Sequence, residues 1–362
     1  MPFLFDYMDW RGGQSFSDCP ANEADLYLIA KIGCPDLSGI VPSDGKEITL
    51  AEAVEAYRAK DGAETTSLGI ATSPLVLKSF FRLPQYPRFR SLMLSGFRRT
   101  DNPDRTEKFS ALTVRIPDGP RCVTFRGTDD NIFAWKENFE MSIMKTVPAQ
   151  EDALDYLRWA MDAYAGDCFV CGHSKGGNLA TYASSMLSPE LQDRISCIYN
   201  YDGPGFQKSF LENEGYRRIL PKLHFIIPQN SMIGLLLYSG KEPKIVRCSS
   251  FGPRAHDGFT WEVNGDGFVQ TDRLSRSSTV FQEAFTKTLS GMSMQDRAGF
   301  IDDFFRIMTS AGGFTLTDLT ETHLVKALEM LRSLQRDKEV HRFAVSLLAN
   351  ALEDLRQSRR SS

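Results

Sequence analysis

Cys168-Phe169-Val170-Cys171-Gly172-His173-Ser174-Lys175-Gly176-Gly177 is the stretch on which the reading of this chain turns. Its first four residues form a short apolar run of the kind that becomes a buried strand. Gly172 to Gly176 then fits G-x-S-x-G, a further glycine follows, and Asn178 to Leu187 suits a helix. Strand, tight turn and helix in that order are the setting the pattern requires, and they make Ser174 a candidate nucleophile. The glycines have a steric role. A serine on so sharp a turn sits in a strained backbone conformation, and a side chain two positions to either side would collide with neighbouring backbone. Free amides and the dipole at the start of the following helix favour an oxyanion. The bland alternative is a glycine-rich helix start with an incidental serine. A phosphate loop fits less well, because the lysine that would follow the second glycine is absent.

Upstream, Phe109 to Ile116 and Arg121 to Phe125 are β-rich runs joined by Pro117-Asp118-Gly119-Pro120, which predicts a hairpin. Helical periodicity runs from about Ala149 to Tyr164. Downstream, the apolar runs Ile195 to Tyr201 and Leu223 to Ile227 alternate with helical or irregular connections, which implies a largely parallel sheet with crossover helices. Residues 1–95 read as a mostly helical region packed on the core, with a helix at Thr49 to Arg58 opened by a threonine cap. Residues 96–271 make the core. Residues 272–362 form a helical appendage, with amphipathic stretches at Gln295 to Met308 and Asp318 to Gln335 and a third helix from Glu339 to about Arg356.

The chain has 362 residues with 42% hydrophobic and 24% charged, the composition of an ordinary globular protein. Its net charge of -4 is spread along the sequence and offers no footprint for a polyanion, so nucleic acid is not expected as a partner. No segment reaches the roughly 18 apolar residues of a membrane span. Met1 to Asp9 does not read as a signal peptide. Seven scattered cysteines suit reduced thiols, and the expected location is cytoplasmic. Cys168 and Cys171 lie three apart on a strand, hence on opposite faces, and do not make a metal or redox pair. Asp129 and Asp130 suit a helix cap better than a metal site. No cofactor and no metal are expected.

A serine nucleophile needs a general base, and there are five histidines. His173 is inside the turn, His224 opens a strand, and His323 and His341 sit on the appended helices. His256 remains, in the loop Gly252 to Gly258, in the chain order Ser…Asp…His of this strand-turn-helix chemistry.

Phe125-Arg126-Gly127-Thr128 directly after a strand, followed about fifty residues later by Gly-His-Ser-x-Gly-Gly, resembles the class 3 lipases. The segments Asp6 to Gly12, Phe125 to Asn138, Asn200 to Phe206, Pro228 to Leu237 and Ala255 to Val263 look more closely like an uncharacterised bacterial domain-of-unknown-function family of α/β hydrolases allied to those lipases. That likeness spans most of the chain up to Val263 and implies an α/β-hydrolase fold, with a mostly parallel central sheet, flanking helices, and N-terminal and C-terminal helical additions. It also implies that the backbone amides of Thr128 and Lys175 form an oxyanion hole. In class 3 lipases the acid is an aspartate in the loop after the strand that here is Leu223 to Ile227. This chain has Pro228-Gln229-Asn230-Ser231 there, and no Asp or Glu from Gly215 to Gly240.

Asp202, at the end of the preceding apolar run, is the substitute acid, since strand carboxyl ends are where sites of open α/β sheets gather. It equally suits a structural role in the turn Gly203-Pro204-Gly205. Asn230 or Ser231 could instead orient the imidazole through a neutral hydrogen bond. Met232 to Tyr238 is either core or the wall of an acyl pocket. The expected function is a serine hydrolase that cleaves a carboxylic ester or related acyl bond of a small or lipid-like substrate, with Ser174 as nucleophile and His256 as base. The alternative is a non-catalytic protein of the same fold that binds a ligand or partner. Oligomeric state is not legible.

Overall fold

The computed structural model describes residues 1–61, 73–102, 107–127, 146–290, 293, 297 and 299. At its centre is an eight-stranded sheet whose strands lie side by side in chain order. The strands are β1 (Ile48–Thr49), β2 (Met93–Asn102), β3 (Glu107–Arg115), β4 (Arg121–Phe125), β5 (Cys168–His173), β6 (Ile195–Tyr201), β7 (Leu223–Pro228) and β8 (Lys244–Val246). From β4 to β8 every pairing is parallel, and from β1 to β4 every pairing is antiparallel. The fold is thus mixed α/β, with a mostly parallel sheet and flanking helices.

The hairpin β3–β4 forms at Pro117 to Pro120, with Asp118 at φ 55°, a conformation that Asp and Asn tolerate better than other side chains. The expected helix near Thr49 is Leu50–Asp61. Thr49 Oγ1 accepts from Glu52 N at 3.1 Å while Glu52 accepts from Thr49 N at 2.9 Å, a reciprocal capping box. The helix expected at Ala149 to Tyr164 runs Pro148–Ala163.

Strand β2 has no counterpart in the sequence reading. Its alternation is broken at Gly96, which stands at φ 65° in a bulge where the register with β3 shifts between Ser95 and Arg98. A Cβ at Gly96 would lie 2.5 Å from the Trp159 ring, so the bulge is also a place where a helix packs close against the sheet. β2 runs through residue 95. Short edge strands such as β1 and β8 carry too few residues for periodicity to reveal them.

Alternate residues of the strands supply two separate cores. On one face Cys122 and Cys171 join Leu26, Tyr27 and Ile29 of the helix Glu23–Ile32 and other N-terminal elements. On the other, Val123, Cys168 and Val170 join the helices Pro148–Ala163 and Lys175–Ser185. Cys168 and Cys171 therefore do point to opposite faces. Arg88 and Asp25, both fully buried, form a two-pronged ion pair at 2.6 and 2.9 Å that ties the N-terminal layer together. Beyond Asp272 the helix Arg276–Ser290 forms, while the helices expected after it lie, apart from Arg297 and Gly299, outside the described residues.

Among the described residues, no helix is long and apolar enough to cross a membrane.

Candidate functional site

β5 ends at His173, and Ser174 is the N-cap of the helix Lys175–Ser185 at φ 60°, ψ −134°. That region of backbone space is left almost wholly to glycine, so a serine held there stores about 1–3 kcal/mol of strain. The neighbours explain both the glycines and the pinch. A Cβ at Gly172 would lie 2.2 Å from the carbonyl of Gly176, and one at Gly176 would lie 2.1 Å from Phe125 O. At Gly177 it would meet Asn200 Oδ1 at 2.3 Å. The turn is thus wedged between the ends of β4 and β6, and any side chain there would push it apart.

Two further strand ends converge on Ser174. Its N–H donates to Tyr201 O at 2.9 Å, which sets it beside the residue that follows β6, Asp202. Arg126-Gly127, after β4, passes so near that a Cβ on Gly127 would lie 3.0 Å from Ser174 Cβ. Ser174 is buried at 6% exposure.

Asp202 is fully buried and, like Ser174, takes positive φ, at 50°. Its Oδ2 accepts from His256 Nδ1 at 2.6 Å across 54 residues of chain. Its Oδ1 accepts from Ser231 Oγ at 2.5 Å and from Gly234 N at 3.0 Å. An ionised carboxylate only accepts, so the proton of this hydrogen bond sits on Nδ1. The imidazole of His256 keeps 18% of its surface exposed. One fully buried acid is therefore gathered with its three donors, Ser231 Oγ, Gly234 N and Nδ1 of the partly exposed His256, at the carboxyl end of β6, next to Ser174 at the end of β5.

The other predicted positions divide. Asn230 Nδ2 donates to Ser250 O at 2.7 Å, and Ser231 serves Asp202, so the neighbour bonded to His256 Nδ1 is the carboxylate. Lys175 opens the helix, and its buried side chain donates from Nζ to Lys108 O at 3.1 Å. Thr128, Asp129 and Asp130 lie outside the described residues. Of the remaining histidines, His224 stacks on Tyr199 on β7, while His323 and His341 are outside the described residues. Asp257, next to His256, accepts from Phe259 N at 3.1 Å and caps a short turn. In the run Met232 to Tyr238, Ile233, Leu235 and Leu236 are buried, so this segment is largely core. A cavity of about 430 Å³ opens beyond Gly205, with Tyr182, Met186, Phe206 and Phe210 as well as the polar Gln150 and Asn213 among its walls. Among the described residues no cluster of His, Cys, Asp and Glu could hold a metal ion.

With this geometry in place, comparison with known families is decisive at one level. Residues 83–306 match the family model described as Mbeg1-like. The chain belongs to the Mbeg1-like family. The match covers β2 to β8, including Ser174, Asp202 and His256, and continues into the helix Arg276–Ser290. No curated protein matches the chain.

Two further residues that no sequence pattern marks, His173 and Tyr27, back the loop that carries His256. His173 Nε2 donates to the backbone carbonyl of His256 at 2.7 Å, and the two rings lie 4.3 Å apart. No local signal marks Tyr27, because the loop it supports is 231 residues away.

Proposed function

We propose that this chain is a serine hydrolase of the α/β-hydrolase fold that cleaves a carboxylic ester or a related acyl bond. The observation that carries the reading is the 2.6 Å hydrogen bond between buried Asp202 and His256 Nδ1, set at the same sheet edge as a serine in a glycine-only conformation. Association of the Mbeg1-like family with lipase-like α/β hydrolases supports the same reading.

In this reading His256 Nε2 takes the proton from Ser174 Oγ as the oxygen attacks the substrate carbonyl. Asp202 holds the ring in the tautomer that can accept it and stabilises the imidazolium that forms. Backbone amides of Thr128 and Lys175 receive the oxyanion, the latter helped by the dipole of the helix it opens. The imidazolium then protonates the leaving alkoxide, and water, activated by the same histidine, releases the acyl group. The carboxylate that reaches His256 from the end of β6 supports catalysis over a non-catalytic binder of the same fold. The aromatic cavity beyond Gly205 suits an apolar acyl or alkyl group. Seven free thiols support a cytoplasmic setting.

A fluorophosphonate probe tests the reading, because only an activated serine displaces its fluoride. Labelling of the folded chain on Ser174, abolished in Ser174→Ala and strongly slowed in His256→Ala, is the expected result. A folded chain that stays unlabelled would refute it.

A further inference from the structure

Asp202 orients the ring of His256, yet the backbone that carries the ring is held by other residues. His173 Nε2 lies 2.7 Å from the carbonyl oxygen of His256. A carbonyl only accepts, so His173 is the donor and its proton is on Nε2. Burial pushes the His173 pKa well below its ordinary 6.5, which keeps the ring neutral and in this tautomer. Two residues on, Gly258 N–H donates to the Tyr27 hydroxyl at 2.9 Å, and a Cβ on Gly258 would lie 2.3 Å from the Tyr27 ring. Tyr27 stands edge-on to His173, with ring centroids 5.6 Å apart. On the near side of His256, Ala255 O accepts from Trp261 Nε1 at 2.7 Å. The segment 255–258 otherwise spans the end of one short turn, Gly252–His256, and the start of another, Gly258–Thr260, which by themselves would not hold a side chain to within half an ångström.

We propose that His173 and Tyr27 are positioning residues for the reaction, clamping the backbone directly after the His256 Cα at two points, its own carbonyl and the N–H of Gly258, so that its ring keeps its place beside Asp202. The inference rests on the serine-hydrolase reading above. It also gives the helix Glu23–Ile32 a direct part in the site: the N-terminal layer supplies one jaw of the clamp, and the turn that presents the serine supplies the other. The clamp acts on reaction and not on substrate affinity, because neither residue needs to touch the substrate.

The experiment measures inactivation by a fluorophosphonate on the full-length chain, resolving kinact from KI by intact-protein mass spectrometry, alongside thermal melting. His173→Phe keeps an aromatic ring but no donor, and kinact is expected to fall about 10- to 100-fold with KI unchanged, the range for a reacting group displaced by up to about 1 Å. Tyr27→Phe removes one oxygen and should lower kinact by about 3- to 10-fold, also at constant KI. His173→Gln places an amide N–H near the position of Nε2 and should recover most of the loss. The inference is overturned if folded Tyr27→Phe and His173→Phe react like the parent chain, or if His173→Gln is as slow as His173→Phe. Should His173→Phe fail to fold, Tyr27→Phe decides alone. A parent chain that never labels on Ser174 refutes the underlying hydrolase reading instead, a separate and recognisable outcome.

Discussion

Replacing Asp202 by Asn is the most searching perturbation of this site, because it changes one proton-accepting oxygen into a donor and little else. The backbone at 202 stands at φ 50°, a region that Asp and Asn enter more readily than other side chains, so the substitution adds no strain. The retained Oδ1 still receives Ser231 Oγ and Gly234 N. On the other side, an NH₂ replaces the oxygen that now accepts from His256 Nδ1 at 2.6 Å. Two donors then face each other unless the imidazole changes tautomer and places its proton on Nε2, the nitrogen that takes the Ser174 proton in the proposed mechanism. Loss of the right tautomer costs about 4–5.5 kcal/mol of barrier, a slowing of about 10³- to 10⁴-fold. Stability should change much less, by about 1–2 kcal/mol, since three hydrogen bonds lose the assistance of the charge while the cost of burying that charge disappears. Ala at 202 would instead strand three donors in the interior and would confound activity with folding. The assay is the fluorophosphonate labelling rate of Asp202→Asn, read with its melting curve. A variant that melts like the parent chain and labels at the parent rate would refute the assignment of Asp202 as the acid.

Gly172→Ala puts a methyl group 2.2 Å from the backbone carbonyl of Gly176, which cannot swing aside as a side chain could, and should cost about 3 kcal/mol in chemical denaturation. A variant as stable as the parent would mean that the turn is not wedged as described. His173 is a buried base held neutral, with the charge of Lys31 and proximity to His256 adding to the effect of burial. A depressed folded-state pKa means that the unfolded chain binds the extra proton first. The contribution is therefore fully present above about pH 6.5 and is lost as pH falls below it, at up to about 1.4 kcal/mol per pH unit. His173→Gln should flatten the fall in stability between about pH 6.5 and 5, and an unchanged slope would contradict the burial. Arg88→Met would leave Asp25 buried and ionised without its partner, and should cost about 3–5 kcal/mol in urea denaturation. A loss below about 1 kcal/mol would show that the pair is not sealed from water.

The match to a family over residues 83–306 leaves Tyr27, and with it one jaw of the proposed clamp, outside the matched segment. The N-terminal layer nonetheless shares one continuous core with β4 and β5 through Leu26, Tyr27, Cys122 and Cys171. Removing the first residues of the chain should therefore disturb the site through packing, even though none of them is read as a reacting group.

What the amino-acid order determined by itself is local: the pinched turn at Ser174, whose glycines follow from steric exclusion within a few residues, the hairpin at Pro117 to Pro120, and the alternation of apolar runs with helices that dictates a mostly parallel sheet. Each of these rests on backbone propensity and on periods of two or 3.6 residues, which any short window of sequence displays. Strand β2 escaped that logic because a bulge at Gly96 interrupts its period. Tertiary structure alone decided that Asp202 faces His256, that Ser231 serves the carboxylate and Asn230 the Ser250 carbonyl, and that Tyr27 backs the loop at Gly258. Those pairings join residues 20 to 231 positions apart. Which partner a buried polar group finds depends on how whole layers stack over the sheet, and no local pattern carries that information.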